Sequence, residues 1–209
     1  MKKAFLLVIT AFLATYTVKA QNDPNAKKIL DAVSTKVKSY KAITGKFVLK
    51  TFTSAGKLNG TKTGSISMKG SKYILKQGKT EVICDGSKTY TFDGSKTITV
   101  AAAEEEGKTL TPQKILSGSY DKDFTYKLIS TKGNFNKIEL KPVDKRKNFN
   151  KVNLFIDKTK SMITKATILD KSNNTLEFTF NNLNTNATLA DKIFVFDKNK
   201  YPSDVEILD

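Results

Sequence analysis

Apolar residues in this chain begin at helical spacing, change to alternation, and leave it once more near the middle. Asp23-Pro24 places a helix-capping side chain before a proline suited to the first helical position. Ile29, Leu30, Val33, Val37 and Tyr40 follow at helical spacing, with Asp31 and several lysines on the opposite side. The pattern predicts an amphipathic helix from about 24 to 40. From Ile43 the period is two. Phe47, Leu49 and Thr51 alternate with Val48, Lys50 and Phe52, and a turn-rich stretch from Ser54 to Asn59-Gly60 returns the chain as a hairpin.

Short alternating segments then continue. They are Ile66 and Met68, Tyr73 and Leu75, Val82 to Cys84, Tyr90 to Phe92, and Ile98 to Val100. Asp85-Gly86-Ser87-Lys88-Thr89 recurs as Asp93-Gly94-Ser95-Lys96-Thr97, which reads as two tight turns around one strand. Ala101 to Gly107 breaks the alternation. Thr111-Pro112 is a second capping signal, leading to Ile115, Leu116 and Tyr120 in a short helix. Strands resume at Phe124-Leu128, Ile138-Leu140, Val152-Ile156, Met162-Leu169 and Leu176-Phe180. Asn181 to Leu189 reads as a polar loop, and Ile193-Phe196 and Val205-Ile207 as the last strands.

The fold class expected is mainly β with helices (α+β). About eleven antiparallel strands in meander order form a curled sheet, an incomplete β-barrel covered by the N-terminal helix and a short helical lid insertion. Nothing in composition divides the chain, so residues 21–209 read as one domain. Residues 1–20 read as a signal peptide. Lys2 and Lys3 precede the apolar stretch Ala4 to Leu13, and Val18-Lys19-Ala20 offers a cleavage site before Gln21. The expectation is an exported protein in the periplasm without a lipid anchor, because no cysteine follows the apolar stretch.

Composition narrows the chemistry. The 209 residues contain no His and no Trp, and Cys84 is the only cysteine. Catalytic triads, histidine acid–base chemistry and the usual zinc and iron–sulfur sites lack their residues. Cys84 lies in the apolar run Val82-Ile83-Cys84 and reads as a buried thiol. Paired carboxylates are the one catalytic set left, with Asp85 and Asp93, or Asp121 and Asp123, as candidates for carbohydrate hydrolysis. Asp in an Asp-Gly turn ordinarily bonds its own backbone. Glu104-Glu105-Glu106 reads as a solvated turn and not a metal site. No enzyme, metal or cofactor is expected.

The formal charge is +16, nearly all of it lysine, since Arg146 is the only arginine. Nucleic-acid recognition favours arginine forks, so no nucleic-acid partner is expected. An exported basic chain meets membrane headgroups or acidic proteins instead. Lys141, Lys145, Arg146, Lys147 and Lys151 form the densest run and a candidate docking patch, beside the ordinary reading of a solvated hairpin tip.

Five ordered blocks resemble the periplasmic outer-membrane lipoprotein carrier proteins, the LolA family. They are the Asp23-Pro24…Val33 helix with Gly45-Lys46-Phe47; Gly64 to Tyr73; Val82-Ile83-Cys84-Asp85-Gly86…Thr89 to Phe92; Leu140-Lys141-Pro142 with Phe149 to Asp157; and Phe194-Val195-Phe196…Tyr201-Pro202…Ile207. The resemblance implies a half-open barrel with a helical lid over an apolar cavity. It implies acylated lipoproteins as cargo, an inner-membrane lipoprotein-releasing transporter as donor and an outer-membrane acceptor.

Cavity-lining positions are expected at Phe47, Leu49, Ile66, Met68, Tyr73, Leu75, Tyr90, Phe92, Leu154, Ile156 and Phe178. Lid contacts are expected from Ile29, Val33, Val37, Ile115, Leu116 and Tyr120. The family commonly latches its lid with an arginine before the aromatic strand. Here that stretch reads Met68-Lys69-Gly70-Ser71, so Lys69 is the candidate latch. A monomer is expected. The alternative function is a periplasmic sensor or lipid-binding domain on the same scaffold that detects mislocalised lipoproteins. A sensor needs a further partner-binding domain, for which a chain ending at Asp209 leaves no room.

Overall fold

A computed structural model describes residues 22–103, 110–118 and 120–209. The signal-peptide residues and Glu104-Glu105-Glu106 lie outside the described residues. Helix α1, Pro24–Ser39, leads into six strands: β1 Ile43–Phe52, β2 Leu58–Lys69, β3 Lys72–Gln77, β4 Thr80–Cys84, β5 Lys88–Phe92 and β6 Thr97–Ala102. Helix α2, Pro112–Ser117, follows. Five more strands complete the second run: β7 Phe124–Ser130, β8 Phe135–Pro142, β9 Phe149–Asp157, β10 Met162–Asp170 and β11 Thr175–Asn184. Two 3-10 turns, Asp191–Phe194 and Lys198–Lys200, and strand β12, Glu206–Leu208, end the chain.

All twelve strands belong to one sheet, in the order β12-β6-β5-β4-β3-β2-β1-β11-β10-β9-β8-β7. This is two meanders joined along β1 and β11, not the single meander expected from sequence. Phe47 lies opposite Phe180 across that joint and Leu49 opposite Phe178. The outer edges, β12 and β7, do not pair with each other, so the curled sheet stays open. The chain passes from β6 at one side to β7 at the other, and α2 rides on that crossing. There α2 lies against α1 and against β10 and β2, the strands that flank the central joint.

Three details depart from the sequence reading. Ile193 and Phe194 belong to a 3-10 turn and not a strand, because Phe194 packs onto Ile74 and Ile83 from outside the sheet. The stretch read as a polar loop from Asn181 is the continuation of β11, which runs to Asn184. Strand β12 pairs parallel with β6, whereas all strands were expected to be antiparallel.

Both helices start where their caps predict. Asp23 accepts the Asn25 N–H at 2.8 Å, and Thr111 accepts the Lys114 N–H at 3.2 Å. The repeated turns are twins: Asp85 accepts N–H groups from Ser87 and Lys88, and Asp93 from Ser95 and Lys96. Among the described residues, no helix is long and apolar enough to cross a membrane.

Candidate functional site

Strand register decides which side chains share a face. Met68 faces Tyr73, Tyr73 faces Cys84, and Cys84 faces Thr89 across successive strands. Ile66, Leu75 and Val82 form the neighbouring row. These rows point inward, toward the helices. They join Phe47, Phe178, Leu154 and Ile156 in one buried core, with Leu49 packed half-buried against it. The Phe47 and Phe178 rings lie 6.1 Å apart. Gly64 leaves room for this arrangement: a Cβ there would sit 2.7 Å from Phe47 Cε1 and 2.5 Å from the Lys76 carbonyl oxygen. Cys84 is buried in the same layer, its thiol 3.7 Å from the Ser71 carbonyl oxygen.

Tyr90 and Phe92 do not belong to this face. Tyr90 pairs with Ile83 and Phe92 with Glu81, so both point outward. There Tyr90 stacks on Phe196 at 4.4 Å, and Phe92 meets Tyr201 at 5.0 Å. The inward positions on β5 are Thr89 and Thr91. The parity expected for this strand is reversed because the C-terminal segment supplies an apolar cover on the outside.

The helices close the inner layer. Ala26, Leu30 and Val33 of α1 are buried, with Ile29 and Val37 half-buried beside them. Ile115, Leu116 and Tyr120 are buried over the sheet, and the Tyr120 hydroxyl donates to the Ile115 carbonyl. The six lid positions thus come together. Ala26 and Leu30 were missed as lid residues, although their spacing to Val33 and Val37 marks one helical stripe. Phe180, Ala166 and Ile168 were missed on the sheet: Phe180 lies opposite Phe47, Ala166 opposite Phe178, and Ile168 opposite Leu176, two residues from Phe178.

Polar bonds hold α1 at one end. Asp23 accepts the Leu128 N–H at 3.0 Å, and the Asn22 side-chain oxygen accepts the Tyr126 N–H at 3.0 Å. Asp121 accepts the Tyr126 hydroxyl at 2.6 Å and the Lys27 ammonium at 3.1 Å. These two bonds, the hydroxyl first, depress the Asp121 carboxyl, while burial and Asp121 together push the Tyr126 hydroxyl up to about 12. The other end of α1 borders two openings. A cavity of about 240 Å³ lies between Val37, Tyr40, Ile43, Met68 and Gln113. On the far side of Tyr40, a groove of about 520 Å³ reaches Met162, Phe180 and Leu183. The cavity falls below the range of about 300–1,000 Å³ usual for ligand pockets. Among the described residues, both helices lie against the apolar inner face.

None of the candidate carboxylates is poised for catalysis. Asp85 and Asp93 are tied into their own turns, Asp121 to Tyr126 and Lys27, and Asp123 to Lys114 at 2.8 Å. Among the described residues, no group of His, Cys, Asp and Glu could hold a metal ion.

The outer membrane lipoprotein carrier protein LolA family matches residues 40–197. The chain belongs to the LolA family. No curated protein sequence matches it. Among solved structures, an uncharacterized conserved protein from Thermus thermophilus is similar at 9% identity and a TM-score of 0.57, over 88% of this chain and 98% of that one. A LolA superfamily protein from Nitrosomonas europaea is similar at 14% identity and a TM-score of 0.48, over 82% and 97%. The lipoprotein LppX from Mycobacterium tuberculosis is similar at 12% identity and a TM-score of 0.46, over 81% and 100%. The Thermus likeness is one of fold.

In this LolA-family chain Lys69 does not reach the lid. Its neighbour Met68 points inward, so Lys69 points outward, where it donates to the Leu189 carbonyl at 3.1 Å and Asp191 at 3.2 Å. Lys72 bonds the same carboxylate. Strand alternation forces the difference, and the pair fastens the C-terminal segment instead of the helices.

The basic run around the turn between β8 and β9 is partly neutralised. Glu139 pairs with Lys141 and Lys151, and Asp144 with Arg146. The Arg146 guanidinium holds the Asp144 carboxyl at about 2. Lys145 offers its carbonyl to Lys171, and Lys147 closes the turn on the Asp144 carbonyl.

Proposed function

We propose that this chain is a periplasmic carrier that holds the acyl chains of lipoproteins against its inner face. It takes them from an inner-membrane releasing transporter and yields them to an outer-membrane acceptor. The observation that carries this reading is the inner layer itself. It is an apolar face of an open sheet, covered by one long and one short helix instead of a second sheet. Membership of the LolA family supports it. On this reading residues 1–20 are removed on export, and the protein acts as a monomer without a cofactor. It binds and releases; it does not catalyse.

Energetics favour a lid that must be displaced. Burial of acyl chains contributes about 0.8 kcal/mol per methylene, or roughly 30 kcal/mol for two or three long chains. Non-covalent affinity saturates at about 18–21 kcal/mol, so full burial without opposing cost would prevent release. Here a chain must first separate Val33, Ile115, Leu116 and Tyr120 from the sheet residues with which they share one buried core. That cost offsets the gain and leaves net binding weak enough for transfer.

Native mass spectrometry and lipid extraction on protein exported from cells test the reading. Co-purifying acylated lipoprotein or fatty acid near one-to-one is expected. An apo mass, together with no binding of a fluorescent acyl probe, would refute it. Ile115→Glu places a charge in the closed lid and is expected to change acyl-probe affinity. Unchanged affinity in a folded variant would remove the lid assignment.

A further inference from the structure

The segment after β11 runs over the outer face of the sheet as a strap. Its inner side is fixed: Phe194 is buried on Ile74 and Ile83, Phe196 stacks on Tyr90, and the Tyr201 hydroxyl donates to Glu81 at 2.8 Å. Its outer side differs in kind. Lys192, Lys198 and Lys200 are exposed around Val195, which is 58% exposed. Together with Ile193, Phe196 and Asp197 they line an open groove of about 730 Å³. Two strap carboxylates are engaged elsewhere: Asp191 takes Lys69 and Lys72, and Asp204 takes Lys96. Asp197 is in the groove wall itself, where it accepts the Asn199 N–H at 3.1 Å, so three ammonium groups stand against one carboxylate. Lys192, Lys198 and Lys200 make no ion pair among the described residues.

We propose that this outer side of the strap is a docking surface for an anionic phospholipid bilayer. Three lysines around a central apolar side chain match an interface that offers phosphates at one depth and hydrocarbon just below. Lysine ammonium groups on flexible stems suit a diffuse anionic surface, while their methylenes and Val195 enter the apolar boundary. A groove this open, without a buried donor, offers no enclosure for a single free phosphate. It also has no arginine fork to read an acidic motif in a protein, since Arg146 lies on the turn between β8 and β9. The strap sits on the opposite side of the sheet from the helices, so docking here leaves α1 and α2 clear of the bilayer. The proposal stands apart from what the inner face binds.

Protein expressed with its own leader and purified in its processed form is to be sedimented with vesicles. Binding is expected to phosphatidylcholine mixed with phosphatidylglycerol, not to phosphatidylcholine alone, and is expected to weaken as salt rises. At about fivefold per lysine, K192Q/K198Q/K200Q should lose about a hundredfold in affinity. K145Q/K147Q, on the turn between β8 and β9, should bind like the wild type. Because the sequence contains no tryptophan, V195W supplies a single reporter whose emission should shift to the blue with mixed vesicles only. The proposal fails if the triple variant binds as the wild type does, if K145Q/K147Q loses as much, or if the V195W emission does not move. It also fails if the strap binds a soluble acidic peptide, such as polyglutamate, while the mixed vesicles are not bound.

Discussion

The Asp23 carboxylate accepts the backbone N–H of Leu128 at 3.0 Å, so one side chain caps α1 and also pairs the free edge of β7. Two structural problems, the unsatisfied start of a helix and an open sheet edge, meet in one group. The Leu128 N–H, followed by those of Asn25 and Ala26, holds its carboxyl below the ordinary value of 3.8. A carboxyl depressed in the fold stabilises fully above its unfolded value. That stabilisation is lost as pH falls through the folded value. Asp23→Asn should therefore melt below the wild type at neutral pH, and the gap should close below about pH 4. Thermal unfolding followed by circular dichroism across this range checks the sign. A gap that widens in acid would contradict it.

The two lid helices touch at Gly118, whose φ is +69° at the end of α2. A Cβ there would lie 2.8 Å from the Ser34 backbone nitrogen and 3.1 Å from Val33 Cγ1. Gly118→Ala thus combines left-handed strain with a direct push on α1. We expect a lower melting temperature, by several degrees, and faster uptake of an acyl probe by stopped-flow fluorescence. Unchanged uptake would mean that this contact does not hold the lid.

Phe178 and Tyr90 should respond in opposite ways. Phe178→Ala opens the inner layer beside Phe47 and should cost about 3–5 kcal/mol in stability, with altered acyl binding. Tyr90→Ala removes a ring from beneath Phe196 on the outer face and should leave acyl affinity as it was. Denaturant melts paired with probe titrations separate the two effects.

Lys69→Ala tests the strap against the latch. The loss of bonds to Leu189 and Asp191 should speed proteolytic cleavage near residues 189–200 without altering acyl-probe affinity. A change in affinity with no change in cleavage would return Lys69 to the lid.

Caps, turns and period made most of this fold legible. Asp23-Pro24 and Thr111-Pro112 fixed both helix starts, and the two Asp-Gly turns are seated as their spacing predicted. What local pattern lacks is the partner of each face. Tyr90 and Phe92 alternate with threonines, and an aromatic set opposite a polar one ordinarily points to the core. Here both sides of β5 are covered, so polarity no longer reports direction. Ile193 to Phe196 misleads for the same reason: the run is apolar because Phe194 and Phe196 pack downward onto strands, not because it is one. Lys69 shows how one residue of parity decides a role.

Among the described residues, the β1–β11 joint is the only strand ladder between the two meanders, and no such ladder connects β7 with β12. A closed barrel has a girth set by its strand count and stagger. This sheet has no fixed girth. Among the described residues, what holds its two halves at their spacing is the packing of side chains and of the helices above them, not a closed ring of ladders. Affinity for a guest should then rise smoothly with hydrocarbon length, with no sharp cutoff. On the proposed carrier reading, one scaffold would accept passengers of unequal bulk.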